Sequence, residues 1–247
     1  MIAQPLAGLA VAIATALLWP AAPTADSPTG RREAQAALGP FAGLVGEWKG
    51  TGQPRRGSSR GAWTEAAGWA WKLTPDSAAL ELTVTQGGKL LRSALLRPTK
   101  DVGTFALDAT LADGSRRTFV GKAAHKAPLV LVADPPAGDG PRRVTLNPLH
   151  DTRFLLLLEA RADDDPAYRR LAEVGYTRQG VAFAAGESYP PCIVTGGRGT
   201  TRVSYMGKAY WVCCSGCKDL FNEDPAAVIA EAAARDAAKA KDPAAKK

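Results

Sequence analysis

The sequence predicts a mainly β protein, an antiparallel β-barrel followed by a small cysteine module built from a hairpin and a helix. Three observations carry that expectation. Ten short runs of strand-forming residues follow one another between residues 48 and 176, separated by turn-forming clusters and almost no helical pattern. A meander of that many strands with few covering helices closes most readily into a barrel, which removes its exposed edges. All four cysteines then fall in one later stretch, at Cys192, Cys213, Cys214 and Cys217.

At 247 residues the chain is long enough for one good core and a small appendage. Its formal net charge of +7 is dispersed. Pairs such as Arg55-Arg56, Arg116-Arg117 and Arg142-Arg143 read as solvated turns and strand ends. With no basic stripe beside stacking aromatics, nucleic acid is not expected as a partner. Residues 6–19 form an apolar, alanine-rich run that ends at Pro20-Ala21-Ala22-Pro23. A spanning helix needs about 20 apolar residues, whereas the hydrophobic region of a secretory signal is shorter. Residues 1–25 are therefore read as a signal peptide or membrane anchor. The chain is expected to be exported, either periplasmic or anchored facing outside the cytoplasm, where disulfides can form.

The barrel is expected over residues 36–180. A short helical lead-in over 32–38 stops at Gly39-Pro40. Strands are expected at 48–52, 61–73, 79–86, 89–97, 102–110, 115–122, 129–133, 143–146, 152–160 and 168–176. Turn-formers such as Thr74-Pro75-Asp76-Ser77, Gly87-Gly88 and Ala112-Asp113-Gly114 separate them. The run 154–158 reads as buried on both faces. Trp63, Trp69 and Trp71 share one strand parity and so line one face of the barrel, either as core packing or as the wall of a site for a small apolar ligand. Trp48 reads as a plug at a barrel mouth whose indole N–H finds a carbonyl.

The opening Phe41, Leu44, Gly46, Trp48 and Gly50 pattern resembles the start of lipocalin-like and fatty-acid-binding-like (calycin) barrels, in which glycine-x-tryptophan closes one end. That resemblance implies a calycin-like fold over residues 41–180. The haem-binding nitrobindin-like relatives of such barrels would imply a histidine ligand near the final strands. His125 and His150 both read as loop residues, so haem is not expected. Enzymatic motifs are missing as well: there is no G-x-S-x-G elbow, P-loop or His-x-x-x-His. Asp163-Asp164-Asp165 lacks the spaced oxygen ligands of a calcium loop and reads as a solvated turn. The chain is not expected to be an enzyme.

The cysteine module is expected over residues 189–240, after the stiff lead-in Tyr189-Pro190-Pro191. Runs at 203–205 and 209–212 flank Met206-Gly207-Lys208, a hairpin signal because glycine takes positive φ. Gly216-Cys217 opens a helical turn that runs to Phe221. Asp224-Pro225 then starts a helix over 226–239, with Val228, Ile229 and Ala232 on one face, and residues 241–247 are expected to be a disordered tail. So small a core needs a staple, and thiolates converging on a metal supply one. Cys192, Cys213 and Cys217 are the candidate ligands. Cys214 is either a fourth ligand or a neighbouring thiol, because successive side chains on a strand face opposite ways. A disulfide and a metal-free remnant of the fold remain alternatives.

The segment resembles the TRASH/YHS family of small treble-clef-like metal-binding domains. The matching residues are Cys192-Ile193-Val194-Thr195-Gly196, Tyr205, Gly207-Lys208, Tyr210, Cys213-Cys214, Gly216-Cys217-Lys218, Phe221 and Asp224-Pro225. The resemblance implies a heavy metal, zinc or copper(I), handled or sensed without catalysis, and a partner protein for metal exchange. It departs from the family at Thr195, where better-known members carry a second cysteine. The alternative function is that of a structural or interaction protein, with an apolar ligand in the barrel and the module as a staple only.

Overall fold

The computed structural model describes residues 30–135, 140–180 and 189–241. The expected leader over 1–25, most of the connector and the tail beyond Lys241 lie outside them. Among the described residues no helix is long and apolar enough to cross a membrane.

Ten strands form one closed antiparallel barrel in up-and-down order. They are β1 (Gly46–Gln53), β2 (Trp63–Leu73), β3 (Ala78–Gln86), β4 (Leu91–Pro98), β5 (Thr104–Leu111), β6 (Arg116–Lys122), β7 (Leu129–Ala133), β8 (Arg143–His150), β9 (Arg153–Ala160) and β10 (Arg169–Arg178). Each pairs with its neighbours in sequence, and β1 closes on β10 from Trp48↔Arg178 to Gln53↔Glu173. Before the barrel lie α1 (Arg31–Ala37) and a 3-10 turn (Gly39–Leu44). After it come the hairpin β11 (Thr201–Tyr205) and β12 (Lys208–Val212), then α2 (Ser215–Glu223) and α3 (Pro225–Lys241).

Alternation puts one residue in two into the barrel. Along β2, Glu65, Ala67, Trp69 and Trp71 are buried on the face that Trp63 shares, while Thr64 and Lys72 are exposed. Phe105, Leu107, Ala109 and Leu111 do the same on β5, and Val174 and Tyr176 on β10. The interior is built of rings: Phe154 stacks on Tyr176 at 4.4 Å and meets the Trp48 ring edge-on at 4.7 Å. The run 154–158 differs from expectation. Phe154, Leu156 and Leu158 are buried, but Leu155 and Leu157 are only half-buried, since they point to the outer face of β9.

One end is closed by the 3-10 turn. Trp48 Nε1 donates to the Leu44 carbonyl at 2.7 Å, the plug and partner its composition called for. Over that ring, at 4.3 Å, lies the Arg178 guanidinium. It donates to the carbonyls of Val45 (2.7 Å), Asp151 (2.6 Å) and Gly43, so the last strand clamps the first turn. Gly46 must be glycine here: its φ is +131°, and a Cβ would strike that guanidinium.

β8 runs on through Asn147-Pro148-Leu149-His150, which had the composition of a loop. Proline is accommodated because the β8–β9 ladder slips between Pro148 and His150. His150 and His125 are both exposed, His150 with its Nδ1 2.8 Å from Thr152 Oγ1. The acidic run is occupied by partners: Asp163 binds Arg142, and Asp165 accepts from Ala167 N and from Arg169.

The cysteine module docks where the barrel wall is incomplete. The last β1–β2 pair is Gly46↔Trp69, yet β2 continues to Leu73. Beyond Trp69, β2 keeps β3 on one side and has lost β1 on the other. The N-terminus of α2 fills that gap. Gly216 lies so close that a Cβ there would run into the Trp71 carbonyl oxygen. Val203, Val212, Phe221 and Val228 thereby join the core cluster of the barrel. The first helix also meets the last: Arg31 and Glu231 pair at 2.7 Å through both carboxylate oxygens.

Candidate metal centre

Three separate pieces of chain deliver the cysteines. Cys192 opens a tight turn, its N–H donating to the Gly197 carbonyl at 2.6 Å and its own carbonyl accepting from Gly196 at 2.8 Å. The Ile193 N–H donates to the Trp211 carbonyl at 2.8 Å, which ties the turn to β12. From α3 the Arg235 guanidinium donates to the carbonyls of Val194 (2.9 Å) and Ile193 (3.3 Å). Cys213 follows the end of β12, and Cys217 sits in the first turn of α2. Met206 and Gly207, with φ of 47° and 75°, make the two-residue reversal between β11 and β12 that brings Cys213 back towards Cys192.

The sulfurs of Cys192, Cys213 and Cys217 all lie within 4.8 Å of one another, and all three residues are buried. Cys213 and Cys217 are 3.4 Å apart, and none of the four cysteines is in a disulfide. A sulfur–sulfur bond would be about 2.05 Å. Zinc–sulfur bonds of about 2.3 Å place the edges of a tetrahedral thiolate shell at about 3.8 Å. The observed spacing belongs to the second geometry, and these three cysteines can hold a metal ion.

Cys214 stands beside this group and outside it. β12 ends at Val212, so Cys213 and Cys214 do not alternate across a strand. Cys214 takes the N-cap position of α2, its sulfur 3.9 Å from that of Cys213. The same sulfur accepts the Trp71 backbone N–H at 3.3 Å. Thr195, which stands in place of an expected cysteine, brings its hydroxyl to 3.6 Å from Cys213 Sγ.

Protons are held unevenly here. The Cys213 thiol, and after it that of Cys217, donates to Cys192 and holds it well below the usual thiol range. Cys214 is lowered by the same two thiols, with smaller help from the N–H groups of Cys217 and Trp71. Cys213 and Cys217 are pushed up, first by their bonds to Cys192; Cys214 and burial raise both further, and Cys213 raises Cys217 while Cys217 pulls Cys213 the other way.

No protein-family model matches the chain, and no curated protein matches it. Among solved structures it is similar to the crystal structure of Rv2717c from M. tuberculosis, at 18% sequence identity and a TM-score of 0.38. The match covers 58% of this chain and 97% of that one.

The three tryptophans lie on the inward face of β2. Trp69 and Trp71 are buried in the barrel, Trp69 edge-on to Phe154 at 6.5 Å. Trp63 is half-buried, with Nε1 donating to Glu65 at 2.6 Å and its ring against Gly52. Tyr176 OH binds the other oxygen of Glu65, which completes a buried polar group at that level of the barrel. Sequence reasoning missed Arg235, although its signal was present: it lies on the helical stripe of Val228 and Ala232. The Trp71 N–H carried no signal at all, since a backbone group looks the same at every position.

Proposed function

We propose that this chain is an exported metal-binding protein that holds zinc or copper(I) at Cys192, Cys213 and Cys217 in a non-catalytic handling or sensing role. The observation that carries the reading is the group of three buried, unbridged sulfurs within 4.8 Å. Soft thiolates select zinc and copper(I) over hard cations. The TRASH/YHS-like pattern of the segment supports the same reading, as the apolar run over 6–19 supports export. A partner protein would exchange metal through Cys213, the most exposed of the three at 7%.

One observation favours a second reading, in which the metal is a structural staple. Cys192 and Cys217 are wholly buried and belong to the same core cluster as the barrel. Metal analysis of the purified, reduced chain tests the first claim, with one equivalent expected and four thiols titrating after chelation. A chain that stays metal-free and takes up neither ion overturns it. Rapid transfer of bound metal to a chelator separates handling from a staple, which would release metal only as the module unfolds.

A further inference from the structure

A metal bound by three thiolates has a coordination position left over, and the surroundings of Cys213 say where it opens. Cys192 and Cys217 are sealed in the core, so an outside donor approaches from the side of Cys213. On that side lies a cavity of about 220 Å³ between the closed barrel end and the module, walled by Cys213, Thr195, Trp71, Asp151, Arg178 and Arg198. It is smaller than the about 300–1,000 Å³ of a pocket for a drug-sized ligand, and suits a small molecule.

Two arginines and one aspartate share this wall. Each nitrogen of Arg178 already donates to a carbonyl, those of Gly43, Val45 and Asp151, which holds this guanidinium in place as part of the barrel clamp. Burial lowers it to about 10, and the Arg198 charge works in the same direction, against the opposing pull of Asp151 and Tyr189. Arg198 lies flat on Tyr189, its Cζ 3.1 Å from the ring centre. Stacking leaves the in-plane N–H groups of a guanidinium directed outward, the geometry that receives a carboxylate. Cys214, the one spare thiol of the chain, has its sulfur on the Trp71 N–H at 3.3 Å.

We propose that a metal held by Cys192, Cys213 and Cys217 takes its remaining donor from a small thiol bearing a carboxylate, seated in this cavity with the carboxylate on Arg198. The inference rests on the metal-binding reading and specifies its outer ligand. Soft sulfur suits a metal already chosen by thiolates, and zinc calls for a fourth donor. No bond other than the metal–sulfur bond forms, and the incoming thiol gives its proton to solvent.

The test uses the full, reduced chain loaded with one equivalent of cobalt(II), whose sulfur-to-cobalt charge-transfer absorption reports the number of thiolates. Titration with 3-mercaptopropionate should raise that band by about one third, one thiolate added to three. Cys214→Ser should respond in the same way. Arg198→Gln should bind 3-mercaptopropionate about tenfold more weakly, the loss of one charge-assisted hydrogen bond. Its binding of 2-mercaptoethanol, a neutral thiol with no carboxylate, should be unchanged. A cobalt-loaded protein whose spectrum ignores millimolar thiol acid overturns this inference and leaves the metal site standing. Equal binding of the acid by Arg198→Gln overturns the assignment of Arg198. Failure to take up cobalt overturns the inference of an added fourth donor, and failure to take up zinc and copper(I) as well overturns the metal reading itself.

Discussion

The backbone N–H of Trp71, part of the barrel wall, donates to the sulfur of Cys214 across 3.3 Å. Strand β2 has outrun β1 at this point, so the group has no ladder partner there, and a buried N–H without a partner is costly. The cysteine module satisfies it. Barrel and thiol cluster therefore share a hydrogen bond, and each should respond when the other is changed.

Gly216→Ala probes this contact directly. A Cβ there meets the Trp71 carbonyl, a backbone atom that cannot move aside cheaply. Thermal unfolding should show a loss of about 1–3 kcal/mol, the usual cost of overpacking. An unchanged midpoint would mean that α2 does not rest on β2 in solution.

The four thiols should be unequal. Serine at Cys192, Cys213 or Cys217 should abolish stoichiometric metal binding, whereas Cys214→Ser should keep one metal per chain with weaker affinity or altered preference. Metal content and chelator competition on each reduced variant measure this. If Cys214→Ser lost metal as completely as Cys213→Ser, a closed four-thiolate site would replace the three-thiolate account.

Metal affinity should rise with pH. Cys192 is held low, but Cys213 and Cys217 are held above the ordinary thiol range and keep their protons at neutrality. Metal must displace both, and each proton released makes binding stronger as pH increases. Chelator competition between pH 6 and pH 8 should show an increase of up to about a hundredfold per unit, for two protons. A pH-independent constant would exclude neutral thiols at these two positions.

Arg235→Ala should weaken metal binding by about tenfold while leaving the barrel folded, because it releases the turn that aims Cys192 without removing a ligand. Amide exchange at Ile193, whose N–H bonds to Trp211, should quicken in the same variant. Affinity equal to that of the parent chain would show that the turn holds its shape without the guanidinium.

Arg178→Met should cost the barrel about 3 kcal/mol or more. It removes three charge-assisted bonds to carbonyls and the cation over Trp48. The unfolding midpoint should fall by roughly 6–12 °C for a fold of this size. A shift within 1 °C, on the order of experimental error, would deny the clamp its role.

Much of this molecule was legible before its structure. Alternation and turn chemistry are local signals, so all ten strands fell near their observed places, and Asp224 caps α3 through Ala227 N as its composition called for. The shared parity of Trp63, Trp69 and Trp71 put them on one inward face of β2. Where local chemistry and tertiary context disagree, context prevailed. Pro148 looked like a loop residue and sits in a strand, because the ladder slips beside it. The grouping of Cys192, Cys213 and Cys217 could be foreseen from a hairpin and a helical turn, but the place of Cys214 could not. It depends on where β1 stops relative to β2, a relation between residues 46 and 214 that no short window of sequence contains.

The pairing of Arg31 with Glu231 brings the first helix of the barrel region against the last helix of the module. Among the described residues the last helix thus returns to the first, and from Glu231 to Lys241 the rest of α3 runs on for about 15 Å. In topological terms the fold is close to a ring. Its architecture is fixed by which segments touch and not by where the polypeptide happens to be interrupted. In a chain cut to residues 31–241, a linker spanning that 15 Å, with new termini opened at the exposed Asp113-Gly114 turn, would leave every strand pairing and every sulfur where it now stands.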